Sequence, residues 1–128
     1  MEPVLKSFLY CDSIVPAPDG KLNLYGLFTD LYASQFPITY PKFSVLSTWG
    51  DGLGFHVQRI KVVNPANTMV LHQSPELYFT LETEEQTVHV QTDVNQMVFT
   101  EAGAYTFQVM LDGRLAYEHH LHLKQYER

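Results

Sequence analysis

The residues best suited to chemistry gather near the end of the chain, in Glu118-His119-His120-Leu121-His122. If this run is a strand, successive side chains alternate between faces, so Glu118, His120 and His122 share one side. Two imidazoles and a carboxylate are groups that zinc or another divalent ion accepts as ligands. One strand, however, spaces such side chains roughly 6.5 to 7 Å apart, so a closed tetrahedral shell needs a fourth group from a neighbour. The competing reading is a polar outer strand face, with His119 on the apolar side as a hydrogen-bonded core histidine.

The remaining candidates are weaker. His56, His72 and His89 fall on different predicted strands with no assignable carboxylate or nucleophile nearby, so no Ser-His-Asp or Cys-His constellation can be argued. The only cysteine, Cys11, excludes an internal disulfide and a multi-cysteine metal site and fits a reducing cytoplasm. It lies in the apolar run Phe8-Leu9-Tyr10-Cys11, where burial is the default. Gly50-Asp51-Gly52-Leu53-Gly54 resembles a phosphate-cradling loop in composition, but such loops lead into a helix, and here a strand follows. It reads as a hairpin turn instead. Eight Tyr, eight Phe and one Trp make aromatics plentiful, and Trp49, Phe55 and Tyr40 lie at or near predicted loops. There they could stack on a sugar or anchor a protein partner, or else cap the core.

Composition narrows the field. The 128 residues are the size of one domain, taken as residues 1–128. A formal net charge of −6 with no basic cluster argues against nucleic acid and against an anionic membrane surface. No export signal marks the N-terminus, and no apolar run approaches the roughly 20 residues that cross a bilayer. No cofactor is indicated.

The elements that must position these residues are strands. Period-two alternation recurs between Gly, Pro, Asn and Asp clusters, and helical periodicity is hard to find. Tyr105, Phe107, Val109 and Leu111 share one face of a strand over Gly103 to Leu111. Asp112-Gly113 then suits a type I′ turn into Arg114 to Leu123. Across a two-residue turn Leu111 faces Arg114, so the apolar faces agree only with a bulge or a three-residue loop. Upstream, Val4 to Val15 and Lys21 to Ala33 form a hairpin, with Gly26 at a bulge or close approach. Lys42 to Trp49 pairs with Phe55 to Val63 across the glycine turn, while Pro37 and Pro41 keep Phe36 to Pro41 an extended connection. Met69 to Gln73, Glu76 to Leu81 and Thr87 to Phe99 complete eight or nine mostly antiparallel strands, with room for a helical turn between Glu82 and Asn95. The expected fold is all-β, a two-sheet β-sandwich.

Phe99 to Phe107, followed by Asp112-Gly113, resembles the corner before the penultimate strand of immunoglobulin-like sandwiches, where Gly turns the chain and Tyr anchors it. Tyr10-Cys11-Asp12, Asn23 to Phe28, Phe36-Pro37, the Trp49-to-His56 glycine hairpin and the Gly-x-Tyr-x-Phe corner are together similar to an uncharacterised bacterial family of small proteins of unknown function. The resemblance spans most of the chain. It implies an immunoglobulin-like β-sandwich in a bacterial cytoplasm and carries over no functional residue. The expectation for function is a non-enzymatic interaction or assembly module, with another protein or itself as partner. The alternative is a small-ligand domain for a sugar or a metal, and the third possibility an enzyme with a dispersed site.

Overall fold

The structure, a computed structural model, describes residues 2–126. Among them no helix forms, and eleven strands do: β1 (Val4–Cys11), β2 (Ser13–Pro16), β3 (Leu22–Tyr25), β4 (Asp30–Ala33), β5 (Ile38–Gly50), β6 (Gly54–Val63), β7 (Val70–Gln73), β8 (Leu77–Leu81), β9 (Val88–Phe99), β10 (Gly103–Leu111) and β11 (Arg114–Gln125). They build two packed sheets and a small two-stranded arm. One sheet has the order β1-β5-β9; the other runs β4-β11-β10-β6, with β7 and β8 following one another along the free side of β6. All pairs are antiparallel except β4 with β11.

The expected alternation fills the space between the sheets. Phe43, Val45, Trp49, Val94 and Phe99 from one layer meet Ile60, Val62, Tyr105, Phe107, Val109 and Leu121 from the other, all fully or almost fully buried. The bonds across this core are few and specific. Trp49 Nε1 donates to Gln58 Oε1 at 2.7 Å, and the Gln58 amide nitrogen lies 3.5 Å from Thr92 Oγ1, so this buried polar crossing between the layers is internally satisfied.

The Tyr105 corner forms as expected: the buried tyrosine hydroxyl donates to the Glu101 carbonyl at 2.7 Å and accepts from the Glu101 amide at 3.1 Å. Gly103, at φ 143°, places a would-be Cβ 2.9 Å from the Pro65 ring, so the corner has no room for a side chain. At the next turn Asp112 and Gly113 both have positive φ, 53° and 82°, as a type I′ turn requires. The register then slips between Val109↔Tyr117 and Met110↔Leu115, leaving Ala116 as the bulged residue. That extra residue turns Leu115 outward, 51% exposed, where strict alternation would bury it, and restores Tyr117, His119, Leu121 and Leu123 to the inner face.

Three expectations need correction. β5 and β6 do not pair, because β5 is flanked by β1 and β9 while β6 is flanked by β10, β7 and β8; the Gly50–Gly54 segment carries the chain from one sheet to the other. Strand β5 starts at Ile38 and includes Pro41, which is tolerated because β1 stops pairing at Ser44 and leaves that part of β5 an edge. The first long hairpin is broken in both legs. Asp12 separates β1 from β2 and Gly26 separates β3 from β4, which is why the strands outnumber the expectation. The Asp12 amide reaches the Tyr25 and Gly26 carbonyls at 2.8 and 3.1 Å, closing the base of a β2–β3 arm. The arm folds over the outer face of β5, where Cys11, Ile14 and Leu46 make a satellite core with Leu22 and Leu24.

Candidate functional site

The sheet containing β11 presents its outer face to solvent, and the pairing registers lay that face out row by row. Glu118 stands opposite Gln108, which stands opposite Lys61; Leu115 stands opposite Met110, which stands opposite Arg59. Beyond them Val57 is opposite Tyr78, and Phe55 is one row further along β6. Phe55 and Tyr78 lie nearly parallel, 5.6 Å between centroids and 10° between planes, and are 65% and 61% exposed. With Leu115 and the half-buried Met110 and Val57 they form an apolar band across the sheet at its Asp112-Gly113 end. Lys61 and Glu118 flank the band on opposite sides of β10, and among the described residues neither has an ion-pair partner.

Glu118, His120 and His122 do share the outer face of β11, all exposed. They stand in a row rather than around a point. Their cross-strand neighbours are Gln108, Thr106 and Ala104, none of which completes a ligand shell, and Glu118 accepts a long bond from Gln108 at 3.4 Å. Among the described residues no three His, Cys, Asp or Glu side chains converge closely enough to hold a metal ion.

The three aromatics singled out from the sequence separate. Trp49 is completely buried and stacked on Phe79, so it cannot present a surface. It ends a strand whose inner face it shares with Phe43 and Val45, a placement that proximity to the glycine segment disguised. Tyr40 is half-buried against Phe28 and Phe43, its hydroxyl donating to Asp12 at 3.0 Å; burial and that carboxylate hold its pKa above the ordinary tyrosine value. Only Phe55 faces solvent as expected, and its partner Tyr78 was not anticipated. Period-two counting from Glu76 places Tyr78 and Thr80 on one face, but nothing local says that this face is the outer one.

Cys11 is completely buried, and burial together with the Asp12 and Asp93 carboxylates raises its thiol pKa, the reverse of what a nucleophile requires. His119 is half-buried and stacks on Phe8 at 4.7 Å; burial, aided by the neighbouring His120, lowers its pKa. His72 is likewise lowered by burial. His56 has the carboxylate that its neighbours in sequence did not suggest: Nδ1 lies 2.7 Å from Asp112 Oδ2 and Nε2 2.7 Å from the Leu53 carbonyl. Both partners are acceptors, so the two contacts are satisfied together only when both ring nitrogens carry a proton, and the arrangement favours the charged ring, raising its pKa. The pair joins the Gly50–Gly54 crossover to the β10–β11 turn.

No helix among the described residues is long and apolar enough to cross a membrane. Comparison with protein families matches residues 6–124 to a family of unknown function (DUF6941). Comparison with curated proteins finds no match.

Proposed function

We propose, for a chain that belongs to this family of unknown function over residues 6–124, a non-enzymatic interaction module whose partner is a second copy of itself, joined through the outer face of the six-stranded sheet. The observation that carries the reading is the exposed, mutually stacked Phe55–Tyr78 pair continued by Met110 and Leu115. Contiguous apolar surface of this kind is characteristic of docking faces, and aromatic side chains dominate their energetics.

The charges favour a copy of the same chain. Lys61 and Glu118 have no ion-pair partner among the described residues, and a second copy of the chain brings a complement for each. Light scattering with gel filtration at high micromolar concentration checks this: a dimer is expected, Phe55→Asp should dissociate it, and Glu118→Lys should weaken it until Lys61→Glu restores the opposite charges. A species that is monomeric throughout removes the reading, and a dimer indifferent to all three changes removes this face.

The immunoglobulin-like arrangement belongs to the same proposal, supported by the Tyr105 corner and by the parallel β4–β11 pair at the sandwich margin. A cytoplasmic setting is supported by the lone buried cysteine. Bacterial origin rests on the sequence resemblance alone.

A further inference from the structure

A cavity of about 250 Å³ opens on a different side of the molecule, where β1 parts from β11 beside the Leu27–Thr29 link between β3 and β4. Its walls are aromatic. Phe28 lies nearly parallel to Tyr10 at 5.9 Å, Phe8 meets Tyr10 edge-on at 5.4 Å, and His119 stacks on Phe8. The size admits one ring, being below the roughly 300 to 1,000 Å³ of pockets for larger ligands.

The polar groups are unevenly signed. No acidic residue lines the cavity, whereas Tyr10, Thr29, His119 and His120 all do. Tyr10 is only 6% exposed, and its hydroxyl has no hydrogen-bond partner. A buried hydroxyl left unpaired is costly, so a guest that brings an acceptor relieves that cost on binding. An acceptor with negative charge meets no carboxylate there and gains the stronger, charge-assisted bond.

We infer that this cavity binds a small aromatic carboxylate, its ring held among Phe8, Leu27 and Phe28 and its carboxylate accepting from the Tyr10 hydroxyl. The hydroxyl is covered, so the guest must displace a wall to reach it, and the Leu27–Thr29 link is the wall with least backbone bonding to β1. That link is tied to β1 by a single bridge, the Phe28 amide donating to the Tyr10 carbonyl at 3.0 Å, and Leu27 is 61% exposed. The site is independent of the self-association face, so a monomeric protein leaves the inference standing.

Titration of the ¹⁵N-labelled full chain with benzoate, and with benzylamine as a cation of similar size, tests it. Saturable amide shifts around Tyr10, Phe28, Thr29 and His119 are expected with benzoate, at a dissociation constant of roughly 1 mM, and none with benzylamine. Tyr10→Phe, which keeps the ring, should weaken binding about tenfold. Leu27→Trp, at an exposed rim position, should fill the mouth and abolish binding while the thermal midpoint stays in place. Absence of saturable shifts with benzoate, an equal response to benzylamine, or an unchanged affinity in Tyr10→Phe would each overturn the inference.

Discussion

His56 and Asp112 show how a residue acquires a role that its sequence neighbours conceal. Burial alone would lower the imidazole pKa, but the Asp112 hydrogen bond, the Leu53 carbonyl and the charges of Asp112 and Glu2 outweigh it and raise it above the ordinary value. Asp112 moves the other way: burial opposes ionisation, yet His56, the Val57 amide and Arg114 hold its carboxyl below the ordinary range. A raised imidazole pKa contributes stability that is complete below the unfolded value and lost as pH rises through the folded one. A depressed carboxyl contributes stability that is complete above its unfolded value and lost as pH falls through the folded one. The pair therefore stabilises fully between the ordinary carboxylate and imidazole values and weakens on both sides. Asp112→Asn tolerates the positive φ of the turn but should lower the His56 pKa, read by NMR titration of the ring. It should also cost about 1 kcal/mol near pH 6, discounted for the partial exposure of the carboxylate and read by urea unfolding. Reading the chain could not find this pair, because 56 positions separate its members and only the crossover between sheets brings them together.

At the scale of elements, much was legible where the local signal was also the global one. The β10–β11 hairpin is set by Asp112-Gly113 and by alternating apolar residues, and its bulge followed from incompatible faces on either side of a two-residue turn. Gly50–Gly54 misled for the opposite reason. Glycine reports a backbone that must bend, and a hairpin and a crossover between sheets require the same freedom; the choice is made by which neighbours already occupy the edges of β5 and β6. Gly26 carries a clearer constraint. Its φ is 66°, and a methyl group there would collide with the carboxylate of Asp12, the residue whose backbone amide closes the base of the β2–β3 arm. Gly26→Ala is expected to destabilise the protein by about 1–2 kcal/mol, the usual scale for a side chain forced into a left-handed backbone. Hydrogen exchange checks where the effect falls: protection should drop first at the Asp12 and Phe28 amides, while the amides of β9 and β10 keep theirs.

For the whole molecule, alternation was sufficient to establish two apolar faces packed on each other, because every long strand repeats the same period. It could not order the strands, since the edges that meet are chosen by the complete set of faces and turns. The outer-face band was illegible for a related reason: Leu115, Met110, Val57, Phe55 and Tyr78 are contributed by β11, β10, β6 and β8, and only the registers align them. A sandwich dominated by such distant pairings should fold slowly for its size. Refolding from urea is expected as a single phase in the millisecond-to-second range, measured by stopped-flow fluorescence of the buried Trp49. Removing the chain beyond Leu121 should accelerate unfolding, because it deletes the partner of β4.

That last pairing has a consequence during synthesis. Lys124 reaches Asp30 across 94 positions of sequence, and β11, which follows the ten other described strands in sequence, lies between β4 and β10 rather than at an edge. While a ribosome is still producing the chain, β4 and β10 each wait with an unfilled side, and the sheet cannot close by growing in order from its beginning. The nascent protein thus passes through an interval in which two incomplete edges are available to other chains, ended only when β11 itself emerges from the exit tunnel.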